Sequence, residues 1–326
     1  AYPIRISVKE GTDMTSLAPI FELTPGATIS PASGSVQDFT TPVRYTVTSE
    51  DKAWHRVYAI TAREQKASNI PTTYHFEKVR IMQNVWQEFY EEQDSGNELT
   101  WASGNKGFKW AMSGAATEDY PTTQIDNGKT GKCVKLETRL TGDLGNMVGM
   151  PIAAGNLFIG SFDMLNAITN PLSATRFGTP FYNKPLRLTG YYKYKAGEQF
   201  YENGEYTSRK DIFNIYAIFY DGVKYDSAGK GTDVTLDGNL PNQNYEHPSM
   251  VALALVSNPQ ETDGDEWKFF DIPFDYQRYG KKIDEARLTK GEYKISIIFA
   301  SSKDGATFEG APGSTLLIDE VELIYE

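Results

Sequence analysis

Two carboxylates and a run of aromatic rings are the residues here whose types and spacing could do chemistry. In TLLIDEVELIYE, at 315–326, strand alternation puts Asp319 on one face with Leu317, Val321, Leu323 and Tyr325. That predicts a core face, where a carboxylate is costly unless hydrogen bonds, a cation or a metal ion offset its desolvation. In YHFEKVRI, Glu77 is likewise in phase with Val79 and Ile81. The rings are Trp86, Tyr90, Trp101 and Trp110, in the polar, weakly periodic stretch VWQEFYEEQDSGNELTWASGNKGFKW. A flat ring in a loop can stack on the apolar C–H face of a sugar while amides, Arg and carboxylates bind its hydroxyls. The other reading is that these rings plug the ends of a β-sandwich. Arg176, in RFG, could fork onto sugar hydroxyls or pair with a carboxylate.

Catalytic patterns are weak. A glycosidase needs two carboxylates facing across a cleft, roughly 5 to 10 Å apart, but with 43 acidic residues such pairs as Glu91/Glu92, Asp263/Asp265 and Asp319/Glu320 arise from abundance. There is no Gly-x-Ser-x-Gly elbow, and His55, His75 and His247 lie far apart in sequence. NGKT at 127–130 lacks the first glycine of a phosphate loop and reads as a turn. No His pair has zinc spacing, and ETDGDEW is out of register for an EF-hand. Cys133, the single cysteine, reads as a small buried thiol.

The elements that must position these residues are strands. With 20 Tyr, 17 Phe and 5 Trp, and with Gly and Pro between short runs of Val, Ile, Thr and Tyr, the chain has the composition of turn-rich β-structure. A net charge of −11 with no Lys/Arg cluster excludes a sequence-independent nucleic-acid surface. No apolar run is long enough to span a bilayer, and AYPIRISVKEG reads as a strand rather than a signal segment.

Short strands with turn signals about every ten residues mark a small sandwich over 1–64, its centre filled by Trp54 or Tyr58. The polar stretch REQKASNIPTT places a linker at 64–72. Beyond it, strands are expected near 74–81, 132–141, 157–164, 186–195, 212–221, 249–257, 266–275, 292–301 and 314–325, with Trp267 as a core ring. Loops rather than helices join them, which predicts antiparallel pairing in two packed sheets. YKISIIFA alternates as a half-buried strand, and DIFNIYAIFYDG is apolar on both faces, as a central covered strand would be.

From HFEKV through TWASGNKG, YPTTQIDNGKTGKCVKLETR, IAAGNLFIGSF, RFGTPF and LTGYYKYKAG to IIFASSKDGATFEGAPGSTLLIDEVELIYE, the sequence resembles the putative carbohydrate metabolism domain family. Residues 3–62 resemble the immunoglobulin-like module that often precedes such domains as a spacer. The resemblance implies an all-β chain: an immunoglobulin-like sandwich over 1–66, then a jelly-roll β-sandwich over 73–326 similar to carbohydrate-binding modules. It also implies export to the cell surface, lipid-anchored through a segment outside this chain, or to the periplasm. The partner expected is a polysaccharide or oligosaccharide, bound without catalysis. The alternatives are a glycoside hydrolase or lyase on the same jelly roll, and an adhesive surface protein. Carbohydrate-binding modules of this type resemble one another in holding a structural Ca²⁺ where the first and last strands meet, which implies that Glu77 and Asp319 bind one. The competing reading is that Asp319 accepts backbone N–H bonds at a bulge and Glu77 is solvated.

Overall fold

The computed structural model describes all residues except 94, 95 and 97. The chain divides into two compact units, residues 1–67 with Glu326, and residues 68–325.

In the first unit, β1 (Tyr2–Lys9), β2 (Thr28–Ser30), β3 (Val43–Thr48) and β4 (His55–Gln65) form one sheet in the order β1-β4-β3-β2. β1 runs parallel to β4 and the other pairs are antiparallel. Its core is Phe39, Tyr45, Ile60 and Ala62, with Tyr58 packed at the edge. Trp54 is not in it: the ring is 59% exposed and lies against the Arg56 guanidinium at 4.9 Å. It precedes β4 at the hairpin end, where alternation with the strand has not begun.

The second unit is built on two antiparallel sheets. Its elements are β5 (Thr73–Tyr74), β6 (Val79–Met82), β7 (Trp86–Glu92), β8 (Glu98–Thr100), α1 (Asn105–Ala111), β9 (Thr122–Asp126), β10 (Lys132–Glu137), α2 (Gly142–Met147), β11 (Asn156–Phe158), β12 (Gly160–Phe162), α3 (Met164–Thr169), β13 (Thr175–Phe177), β14 (Thr179–Pro180), β15 (Pro185–Lys195), β16 (Asn214–Asp221), β17 (Leu236–Asp237), β18 (Met250–Leu255), β19 (Lys268–Pro273), β20 (Tyr293–Ala300) and β21 (Thr315–Tyr325). One sheet has the order β19-β15-β21-β10-β9, with β5 also paired to β21; the other has the order β11-β20-β16-β18, with β14 on β20.

The alternation read in YKISIIFA is the one observed. Tyr293, Ile295, Ile297 and Phe299 enter the core between the sheets, where they meet Val134, Leu136, Leu188, Leu316 and Ile318. β16 is buried on both faces: Ile215, Ala217 and Phe219 point into that core, while Tyr216, Ile218 and Tyr220 enter a second cluster on the outer side. Phe177, Leu236, Leu240 and Tyr245 cover this outer face, from β13, β17 and the segment after it. Such double coverage is what an apolar strand without alternation requires.

The stretch 82–131 is not the loop its polarity suggests. It carries β7, β8, α1 and β9, and β6-β7-β8 form a small sheet of their own. These strands are short, so polar edge residues mask the alternation.

Candidate functional site

The rings expected to make a sugar platform separate according to the elements that carry them. Trp101, just after β8, is 1% exposed and lies among Tyr74, Phe76 and Phe299. Trp86, on the inward face of β7, is buried beside Phe108 and Tyr120. Both are core rings and neither can meet a ligand. Tyr90 is half-buried, with the Arg80 guanidinium 4.1 Å above its ring. Trp110 is the most exposed of the four, at 37%, on α1. Trp267 is not a core ring: it sits half-exposed before β19 with the Lys193 ammonium 5.1 Å from its centroid.

Trp110 leads to a hollow. Helices α1, α2 and α3 wall a cavity of about 130 Å³, lined by Phe108, Trp110, Met150, Phe162, Met164 and Phe308 among others. Small residues open the space, including Gly104, Gly107, Ala111 and Ala154. A second cavity of about 80 Å³ lies on the outer face of β11, β20 and β16 and shares Ala154, Asn156, Thr175, Gly305 and Ala306 with the first. Its lining adds Phe158, Phe177, Asn214, Tyr216, Ser302 and Lys303.

The two cavities differ chemically. In the first, the polar side chains are already engaged with backbone. Asn156 accepts from Gly104 N at 2.8 Å and donates to Ala154 O at 3.3 Å, Thr141 donates to Met150 O, and Thr175 donates to Leu172 O at 3.4 Å. In the second, Asn214 donates to Tyr245 Oη at 2.9 Å, and Lys303 is exposed, with no ion pair to its ammonium among the described residues. No Asp or Glu among the described residues lines either cavity. The carboxylate behind the wall is Asp211, reached through Ser302 Oγ at 2.6 Å and raised in pKa by burial.

Asn156, Asn214 and the adjacent Ser302 and Lys303 come from three separate segments, so only sheet pairing brings them together. The signal in the sequence is the clustering of small residues in IAAGNLFIGSF and TWASGNKG, which makes room for a hollow. Arg176 is exposed on β13, one residue from the cavity-lining Thr175, and has no carboxylate partner among the described residues.

Asp319 and Glu77 do come together, around the turn that joins β9 to β10. Asp319 is not on the core face. Leu316 and Ile318 point inward before it and Val321 and Leu323 after it, because a bulge opposite β15 slips the phase by one residue. Glu320 takes the extra place with φ +48°. Asp319 is nevertheless fully buried, covered by the turn, and accepts from Thr130 N at 3.0 Å and Glu320 N at 2.8 Å. Glu77 is exposed, lies between β5 and β6 rather than in a strand, and accepts from Lys132 N at 2.7 Å. A side chain at Gly128 would meet Lys132 O at 2.5 Å and Asp319 Oδ2 at 2.7 Å, so the turn needs its glycine.

These residues do not fit Ca²⁺, which takes six to eight oxygen ligands. Both carboxylates face N–H donors, and no group of three or more His, Cys, Asp or Glu among the described residues could hold a metal. Burial pushes the Asp319 carboxyl up to about 6 from 3.8 against the pull of those donors. The folded protein then keeps a proton that the unfolded chain releases, so this contribution is greatest below about pH 4 and falls as pH rises through about 6, by about 3 kcal/mol at most. Asp319→Asn, which stays neutral, is therefore expected to gain stability relative to the native protein between pH 4 and 7 in urea melts. A gap that does not move with pH, or a melting midpoint lowered by a chelator, would overturn this account.

Two packed antiparallel sheets with a helix-walled hollow beside one outer face define a jelly-roll sandwich. The chain belongs to the family of the putative carbohydrate metabolism domain, whose model matches residues 75–324. Residues 1–62 match the model described as SGBP, N-terminal. A crystal structure from Bacteroides thetaiotaomicron VPI-5482, described as a putative glycoside hydrolase, is 47% identical and covers 100% of this chain and 91% of its own, with a TM-score of 0.70. Another so described, from Bacteroides vulgatus ATCC 8482, is 50% identical over 80% of this chain and 100% of its own, with a TM-score of 0.73. No curated protein matches the chain.

Proposed function

We propose that the protein binds a polysaccharide or oligosaccharide without cleaving it, in the paired cavities of the larger domain. The observation that carries this reading is their lining, which combines aromatic rings, amides and one ammonium with no carboxylate among the described residues. A glycosidase of the usual kind would place two there. Asp211, behind Ser302, has its oxygens taken by Ser302, Ser314, Ala311 and Ile212. The match of residues 1–62 to the SGBP model supports an exported protein of the cell surface or periplasm, the smaller unit acting as a spacer. No helix among the described residues is long and apolar enough to cross a membrane.

The second reading, a glycoside hydrolase, is favoured by the descriptions of the two crystal structures. Glycan-array binding joined to product analysis on the same polysaccharides separates them. Binding without new reducing ends is expected; release of sugar would overturn the proposal. Trp110→Ala should weaken retention of the bound glycan about tenfold or more while leaving the melting midpoint close to native, as expected for an exposed aromatic anchor.

A further inference from the structure

We infer that the glycan this protein takes carries an apolar acyl or aryl substituent, and that the helix-walled cavity holds it. The inference rests on the glycan-binding reading above and names the ligand class. Sugar hydroxyls need hydrogen-bond partners, and an unpaired one buried against apolar walls is costly. The larger cavity offers few: the side chains of Thr141, Asn156 and Thr175 are bonded to backbone groups, and of the remaining lining side chains only the indole of Trp110 carries a nitrogen or oxygen. Its volume, about 130 Å³, is close to the ~150 Å³ of an apolar cavity that takes up one benzene ring.

The surroundings agree. The helices that wall the cavity leave Met147 82% and Leu165 88% exposed, with Leu144 and Trp110 partly so. Soluble surfaces rarely group large apolar side chains in this way without a ligand or partner. The neighbouring cavity shares a wall through Ala154, Asn156 and Gly305 and brings the amide of Asn214 and the ammonium of Lys303. One molecule with a polar body and an apolar appendage matches the two hollows together. A plain polysaccharide would use only the second.

The test uses the full chain with matched methyl and phenyl β-glycosides of glucose, galactose, mannose and xylose, read by saturation-transfer NMR and titration calorimetry. For whichever sugar binds, the phenyl member should bind at least about tenfold more tightly, the least that burying one ring returns, with saturation strongest at its aryl protons. Ala167→Phe, which fills the cavity from α3, should collapse that ratio toward one. Met164→Ala, which enlarges it, should raise the preference for a naphthyl over a phenyl glycoside. Equal binding of methyl and phenyl members, or a ratio that neither variant moves, overturns the inference while the glycan-binding reading stands on the array result. Failure of every glycoside and every arrayed glycan, with phenol alone still bound, overturns both.

Discussion

Asp211→Ala is expected to destabilise the larger domain by about 3–5 kcal/mol, the scale seen when one member of a buried, fully bonded charged network is removed. Asp211 is buried, and its Oδ2 accepts from Ser302 Oγ at 2.6 Å, Ser314 Oγ at 2.7 Å and Ala311 N at 2.8 Å, while Oδ1 accepts from Ile212 N at 2.9 Å. The network goes on through Thr138, whose hydroxyl lies 2.6 Å from Ser302 Oγ and 2.7 Å from Ser301 Oγ. One carboxylate thus ties the residues beyond β10 and β20 to those before β21. Truncation leaves these donors, buried at Ser302, Ser314 and Ala311, without their acceptor. Asp211→Asn keeps one acceptor and should cost less. Urea unfolding at pH 7 measures both; a loss under about 1 kcal/mol for Ala would show that the donors find other partners.

Trp101→Ala should cost a similar amount, about 3–5 kcal/mol, as large-to-small changes at buried aromatic sites do. The ring meets Tyr74 edge-on at 5.1 Å, Phe76 at 5.7 Å and Phe299 at 6.0 Å, so its removal opens a void at the end of the main core. Trp101→Phe should lose much less than Ala, since the indole Nε1 has no hydrogen-bond partner among the described residues and Phe refills most of the space. Glycan binding per folded molecule should be native in both, opposite to Trp110→Ala. If Trp101→Ala folded at native stability and lost binding, the ring would be a ligand platform after all.

These two residues show where the sequence could be read and where it could not. The core alternation of 293–300 was legible because every second residue is apolar and the strand is eight residues long. The bulge at Glu320 was legible only as the competing reading, through the cost of placing Asp319 on a core face; a single inserted residue moves Asp319 to the other face, and nothing in IDEVEL marks its position. The even spread of charge through 85–100 hid β7 and β8, so Trp101 read as a loop residue although its neighbours in space, Tyr74 and Phe299, lie far away in the chain. The cavities were the least legible, since their polar groups come from segments that only the sheet pairing joins. What could be read was the family resemblance, which the match over residues 75–324 bears out.

The place of β21 bears on the order in which the larger domain can be made. This last strand lies in the interior of its sheet, between β15 and β10, and it also receives β5 from the start of the domain. Until residues 315–325 have left the ribosome, β15 and β10 have no common neighbour, and Leu316, Ile318, Val321 and Leu323 are missing from the core. Pairing of such distant segments must also meet the entropy of closing loops of well over a hundred residues. The domain therefore gains its stability in one late step, once residues 315–325 are available, and until then two open strand edges are exposed for a chaperone to cover.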